Sequence, residues 1–361
     1  MSDELSMMPI AATRREVAAQ PEVIARVLAE QSGAIRDLAV RLAARGTRQV
    51  VLLGSGDSWF AGMACRLAFE TYSGLPAEAI QAYEYAAYGH ASFDAATAAV
   101  VISSSGRPTT TWDALDRALA TPAYVVGITD KPYAGNPFRE KVHTAIVPGA
   151  LKVGWPAQTT TATIAVLITL AIELGRARGY PGRGRGPGVY RTAAGAARAD
   201  AARTGAERRV GRTTGARLAE RGRAAHLHLC WRRAEPGRGL HRHGAAGRGA
   251  ARVGIAIAAE EFTHGLHIAT IARDDVVVAA GIRRREPPHA RRGALGTHPQ
   301  LVALVDTSDT AIGALAGSTL TLPEVPEPLT PPLTLLPLHQ LSIALAEQKV
   351  AAGYQRPRAV P

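Results

Sequence analysis

Two short apolar runs of β-branched and leucine residues set the pattern of the chain. They lie in Gln49 to Gly62 (QVVLLGSGDSWFAG) and Val100 to Thr111 (VVISSSGRPTTT). Each run stops in a loop of Gly, Ser and Thr and is followed by helical spacing, so each predicts a strand, a loop and a helix N-terminus. Ahead of them, Arg14 to Ala44 carries apolar residues at helical spacing, broken at Gln20-Pro21. The Met, Phe and Tyr of MACRLAFETY, after the first loop, are expected in the core. Ala123 to Thr129 and Ala145 to Val147 predict buried strands, and Leu151 to Leu174 predicts a loop and a long apolar helix with Gln158, Thr159, Thr160 and Thr161 at its start. Later, Asp275 to Ala279, Leu301 to Val305 and Thr319 to Leu322 predict strands, and Pro337 is expected to open a C-terminal helix. Such alternation implies parallel sheets with ligand sites at the C-terminal ends of the strands.

The two loops suit an anion. A helix start carries unpaired N–H groups and roughly half a positive charge, and small residues let a phosphate approach them. Neither loop is a P-loop, since no Lys-Ser/Thr pair follows the glycines, and Gly54, Gly56 and Gly62 do not make GxGxxG. What marks Ser103-Ser104-Ser105-Gly106, with Thr109 to Thr111 behind it, is hydroxyl density rather than positive charge. That composition suits a phosphate monoester on a small, polar ligand.

The pair GSGDS (Gly54 to Ser58) and SSSG (Ser103 to Gly106), one strand-helix unit apart, resembles the phosphosugar-binding fingerprint of the SIS (sugar isomerase) family, in particular the isomerase half of glucosamine-6-phosphate synthases. The resemblance implies two flavodoxin-like α/β domains with parallel sheets, a homodimer, and Gly56, Ser58, Ser103, Ser104 and Ser105 as substrate contacts. The family threonine falls on Pro108, and Thr109 is the expected substitute. Glu84 sits where relatives have an acidic residue. Ala258 to Gly265 (AAEEFTHG) resembles the family phrase Glu-Leu-Lys-His-Gly, which makes His264 the candidate for opening the sugar ring. A histidine suits that step because a pKa near 6.5 lets it take and give a proton. Its neighbour His267 is expected to be packing or solvent-facing. Three departures bear on chemistry. Lys152 stands where the family has a Glu, with Ala157-Gln158-Thr159 in place of Ser-Thr-Lys. The enolising Glu and its Lys would fall around Gly244 to Arg252, where neither occurs. The tail Gly353 to Pro361 resembles the family tail without its lysine. The glutaminase half and its cysteine nucleophile are expected to be absent, so glutamine amidotransfer is not expected. No cofactor and no metal are implied.

Charge changes the picture in one place. The chain has 361 residues and a formal charge of +12. Between Pro181 and Arg252 there are seventeen Arg and no Lys against four carboxylates, a surplus of +13 that leaves the remainder at −1. This segment is crowded with Gly, Ala and Arg and lacks helical or strand periodicity. An RNA-binding arm, a disordered basic linker and coding sequence read out of frame are the three explanations, and the composition favours the third. Read one nucleotide later, Cys230-Trp231 must encode Val or Ala, Trp231-Arg232 Gly, and Glu235-Pro236 Ser or Asn, while His226 to Leu229 can become Thr-Phe-Thr-Phe. That is the strand and loop which open a second SIS domain. The run Arg283 to His298 has the same flavour. Only Tyr190 and Trp231 in the segment could stack on bases, which argues against nucleic acid.

The expected organisation is a helical lead-in over 1–45, a first SIS domain over 46–178, a poorly ordered, out-of-frame segment over 179–252 that disrupts the second domain, and the rest of that domain and the tail over 253–361. Two cysteines, Cys65 and Cys230, cannot frame a disulfide scaffold. The acidic start MSDELSMMPI does not read as a signal peptide, and the apolar run Ala162 to Ile172 is too short to span a bilayer. The expected protein is cytoplasmic, free of membrane and nucleic acid. It binds a sugar phosphate, either as a relative of aldose-ketose isomerases or amino-sugar-phosphate deaminases, or as a non-catalytic sensor.

Overall fold

The computed structural model describes residues 2–89, 93–107, 109–155, 157–181, 227–231, 254–258, 275–281, 301–307 and 310–351. His264, His267, Pro108, the run 283–298 and the tail from 353 lie outside the described residues, as does most of 179–252. The chain divides into two units. One comprises 19–152 and 158–197, the other 1–18, 153–157 and 198–361.

In the first unit, α2 (Gln20–Ala44) leads into β1 (Gln49–Gly54), α3 (Asp57–Ala68), β2 (Ala77–Gln81), α4 (Ala82–Tyr88), β3 (Thr97–Ile102), α5 (Thr110–Leu119), β4 (Tyr124–Ile128), α6 (Pro137–Glu140), β5 (Thr144–Ile146) and α7 (Gln158–Ala177). Pro21 lies in the first turn of α2, where its missing N–H costs nothing, and it marks the break read from the sequence. The sheet is fully parallel in the order β2-β1-β3-β4-β5. A parallel sheet is covered on both faces, and all six residues of β3 are buried. On one face Val51, Leu53, Val101 and Val125 pack against Tyr85 of α4, Leu115 of α5 and Phe138 of α6. On the other, α3 approaches so closely that a Cβ on Gly62 would sit 3.0 Å from the Leu52 side chain. Gly127 plays the same part in β4, where a Cβ would lie 1.9 Å from the Phe138 carbonyl oxygen.

Helix α7 extends beyond the apolar run noted above. By length and composition its 20 residues could cross a membrane, but 89 % of its most apolar window is buried inside the protein, as in a core helix.

The second unit carries α1 (Ser2–Ala18), β6 (Leu227–Trp231), β7 (Gly254–Ala258), β8 (Val276–Gly281), β9 (Leu301–Asp306), α8 (Thr310–Gly313), β10 (Ser318–Leu322) and α9 (Thr330–Ala351). Its sheet is also parallel, in the order β10-β9-β8-β6-β7. Counted from its first strand, that is the same 2-1-3-4-5 order as the other sheet. Val276, Val278, Val302 and Leu304 meet Leu338, Leu341 and Leu345 of α9 on one face. Val277, Ala303 and Val305 meet Ile312 on the other. Helix α1 packs on α9 through Ile10, Val17, Ile343 and Ala346. The Glu16 carboxylate accepts from the N–H groups of Val153 and Gly154, and the Thr13 hydroxyl from that of Trp155.

Two sequence expectations are corrected. Pro337 does not open the last helix, which begins at Thr330 with Pro331 and Pro332 in its first turn. Those two prolines occupy positions whose N–H groups would have no helical partner, so they mark the start better than Pro337 does. The N-terminal helix starts at Ser2, well before Arg14, because it is supported by packing on α9 rather than by its own weak periodicity.

Candidate functional site

Strand β1 is joined in sequence to β2 on one side, whereas β3 leads to β4 on the other. The crevice between β1 and β3 is therefore a topological switch point, where open α/β sheets bind ligands. Flavodoxin-like folds share this 2-1-3-4-5 order and hold their ligand at the same point. Gly54 pairs with Ile102, so the loops that follow the two strands start side by side.

The first loop turns at Gly56, which precedes α3 with φ +55° and is exposed. A Cβ on Gly54 would lie 2.8 Å from the Trp59 nitrogen, so only glycine lets the strand enter the helix this tightly. Ser58 is half-buried in the first turn of α3, its N–H donating to the Ser55 carbonyl at 3.2 Å. The Ser55 hydroxyl lies 3.2 Å from that of Thr111, in the first turn of α5, which ties the first loop to the second.

In the second loop, three hydroxyl oxygens each accept from a nearby backbone N–H. Ser103 Oγ accepts from Gly106 at 3.2 Å, Ser105 Oγ from Arg107 at 3.3 Å, and Thr109 Oγ1 from Thr111 at 3.3 Å. A hydroxyl has one proton and two lone pairs, so in this arrangement a lone pair fixes the oxygen while the proton is left to donate. Thr109 is also the N-cap of α5, with extended backbone. Gly106 closes the turn at φ +61°, its carbonyl accepting from Trp112 Nε1 at 3.0 Å and from the Tyr133 hydroxyl at 2.5 Å.

Beneath the turn lie two residues that the sequence reading did not single out. Asn136 is fully buried, with Nδ2 donating to Thr129 Oγ1 at 3.2 Å and to the Lys131 carbonyl at 2.7 Å, and Oδ1 accepting from the Phe138 N–H at 3.1 Å. Asp130, just past the end of β4, is 5 % exposed. Its N–H donates to the Ser104 carbonyl at 3.2 Å, and its carboxylate accepts from the Ala150 N–H at 3.0 Å. Burial pushes its pKa up to about 6, against the opposing pull of the Ala150 N–H, the nearby Ser104 side chain, Lys131 and Arg26. A polar residue one or two positions past a buried strand was the only sequence signal for it.

Of the sequence candidates, Gly56, Ser58, Ser103, Ser104, Ser105 and Thr109 lie on these two loops or the helix starts behind them. His264 lies outside the described residues. Glu84 is exposed on α4, its N–H held by the Gln81 side chain at 3.0 Å. The arrangement is suited to holding an oxyanion by hydroxyl donors and helix N-termini. Among the described residues on these loops it offers Asp57 and Asp130 as carboxylates.

Residues 45–172 match the profile of the SIS domain. No curated protein sequence matches the chain. Among solved structures, the C-terminal domain of glucosamine-fructose-6-phosphate aminotransferase from Francisella tularensis superposes with a TM-score of 0.75 at 17% identity, covering 94% of this chain and 96% of that one. Tagatose-6-phosphate ketose/aldose isomerase from Escherichia coli gives 0.69 at 15%, covering 94% and 92%. Glucosamine-6-phosphate deaminase from Thermotoga maritima gives 0.67 at 15%, covering 94% and 95%. At these identities the likeness is one of fold.

Proposed function

Residues 45–172 of the chain are a SIS domain, and from this we propose that the protein binds a sugar 6-phosphate at the crevice between β1 and β3. The observation that carries the reading is the serine turn, where the oxygens of Ser103, Ser105 and Thr109 are each pinned by a backbone N–H while their protons stay available to an anion. Ser103, Ser104, Ser105 and Thr109 hold the phosphate, and Gly56 and Ser58 border it. The three solved relatives are named for 6-phosphates of fructose, tagatose and glucosamine. They favour a ligand such as fructose 6-phosphate or glucosamine 6-phosphate.

Replacing both Ser103 and Ser105 with alanine should remove two hydrogen bonds to a charged group. Each is worth roughly 1.5–3 kcal/mol, so the loss in affinity is about a hundredfold or more. Calorimetric titration with glucosamine 6-phosphate reads this directly. A double variant with the parent affinity and an unchanged circular dichroism spectrum would remove the site from consideration.

Catalysis is a finer question. Moving a proton between C1 and C2 of a phosphosugar needs a carboxylate base at the carbon acid and donors at the carbonyl oxygen. His264 is the proposed ring-opening residue. The absence of Glu and Lys in the sequence from Gly244 to Arg252 favours the second reading, a sugar-phosphate sensor without turnover. Interconversion of fructose and glucose 6-phosphates, or release of ammonia from glucosamine 6-phosphate, separates the two readings. We place the protein in the cytoplasm as a homodimer that engages neither membrane nor nucleic acid.

The domain boundaries read from the sequence stand as part of this proposal, with 179–252 read out of frame between two related SIS domains. Strand β6 supports the related second domain, since Leu227 to Trp231 occupies the place in the second sheet that β1 holds in the first. Resequencing the gene across codons 175 to 300 should reveal a displaced nucleotide; an intact frame would dispose of the idea.

A further inference from the structure

We propose that Tyr133 is a positioning residue for Ser105. Through the Gly106 carbonyl it fixes the peptide plane whose N–H holds the Ser105 oxygen, and so keeps the Ser105 proton for the ligand. The inference rests on the sugar-phosphate reading above. The Tyr133 hydroxyl donates to the Gly106 carbonyl at 2.5 Å, and Trp112 Nε1 donates to the same oxygen at 3.0 Å. A carbonyl oxygen has two lone pairs, so both are taken. The peptide unit is planar and trans, which sets the Arg107 N–H on the side opposite that oxygen. With the oxygen pinned, the N–H has one direction to point, and Ser105 Oγ accepts from it at 3.3 Å. Glycine needs such a hold. At φ +61° and without a Cβ, Gly106 sets little limit of its own on rotation of the plane that follows it. A rotated plane would take the N–H away from Ser105 and let that hydroxyl turn its proton elsewhere.

Of the two donors, Trp112 belongs to the helix that the turn itself enters, six residues after Gly106, so its bond is local. Tyr133 reaches across from the loop after β4, 27 residues away in sequence. That loop grips the turn twice. The Asp130 N–H donates to the Ser104 carbonyl at 3.2 Å and Tyr133 to that of Gly106, so the residues on either side of Ser105 are both held from outside the turn. Asn136 fixes the loop in its place, its N–H donating to the Tyr133 carbonyl at 3.4 Å and its Nδ2 to the Lys131 carbonyl at 2.7 Å. Tyr133 is nevertheless 42 % exposed, so its hydroxyl, more than the packing of its ring, is what it contributes. Its reach is also selective. The Gly106 N–H lies in the preceding peptide plane and goes to Ser103 Oγ, so fixing the Gly106 carbonyl orients Ser105 and leaves Ser103 to its own bond.

The test is a double-mutant cycle in the full chain, read by calorimetric titration with glucosamine 6-phosphate. Tyr133→Phe removes one neutral hydrogen bond and should weaken binding roughly fivefold. A Ser105→Ala chain has no hydroxyl left to orient, so adding Tyr133→Phe to it should change the affinity by less than about twofold. In a Ser103→Ala chain the same change should still cost about fivefold, because the two act on different planes. A second readout is the indole proton of Trp112, assigned by its loss in Trp112→Phe. Two donors on one oxygen weaken each other, so in Tyr133→Phe the remaining bond tightens and this proton should move downfield. Equal losses in the Ser105→Ala and Ser103→Ala chains would show that Tyr133 steadies the turn without acting through Ser105, and would overturn the proposal. Parent-like binding by Tyr133→Phe would overturn it too. Both results leave the binding reading intact, whereas a parent protein that does not bind glucosamine 6-phosphate overturns that reading as well.

Discussion

A chain carrying Gly106→Ala should bind a sugar 6-phosphate about a hundredfold more weakly than the parent. Two costs fall on the same residue. At φ +61° an alanine is strained by about 1–2 kcal/mol. The added Cβ would also lie 2.5 Å from Asn136 Nδ2 and 2.9 Å from its Cγ. Asn136 cannot move aside cheaply. It is fully buried, it caps α6, and it makes three hydrogen bonds, so leaving its place strands buried polar groups at about 1–3 kcal/mol. The turn must give instead, and with it go the Ser103 and Ser105 hydroxyls beside the carbonyl held by Trp112 and Tyr133. Titration calorimetry with glucosamine 6-phosphate checks the loss. Parent-like binding by Gly106→Ala would mean that this turn is not the cradle.

The second large effect is on stability. Asp130 has a folded-state pKa of about 6, raised from 3.8 by burial. Between those values the folded chain binds more protons than the unfolded chain, so stability must fall as pH rises. The contribution is fully present below pH 4 and gone above about pH 6, and a shift of this size corresponds to about 3 kcal/mol. Asp130→Asn does not titrate. Its stability relative to the parent should therefore improve by about 3 kcal/mol between pH 4 and pH 7. Urea midpoints of the two proteins at both pH values measure this. A difference that stays constant with pH would show that the carboxylate is solvated or paired in a way the buried geometry does not provide.

The strands of the first unit were legible because each is a short apolar run closed by Gly, Ser or Thr, as in QVVLLG followed by Ser55 and in the run before Ser103. The two loops could be read as one site for the same reason, since all strands of a parallel sheet end at the same edge. Asp130 and Asn136 were not legible. A lone Asp and Asn after a strand look like ordinary loop polarity, and only the overlying loops at Ser104, Gly106 and Ala150 bury them. The link between Ser55 and Thr111 was missed because both residues sat inside hydroxyl-rich stretches with nothing to single them out. Pro337 misled because a proline usually marks a helix start, yet here Pro331 and Pro332 take that position and α9 runs on through it. The second strand, at 77–81, could not be bounded from the sequence because AEAIQ is too polar for a buried run. It lies at the edge of the sheet, where one side needs no partner.

The strand order has a consequence for synthesis on the ribosome. In each sheet the strand made first ends up between the next two, so β1 emerges with both edges bare. Its partners on the two sides begin only at Ala77 and Thr97, and at about 5–20 residues per second the second of these follows several seconds later. Throughout that wait five consecutive residues destined for the interior stand open to other nascent chains. A hungry, sticky ribbon of this kind makes slow codons after Gly54 a hazard and an early encounter with a chaperone an advantage.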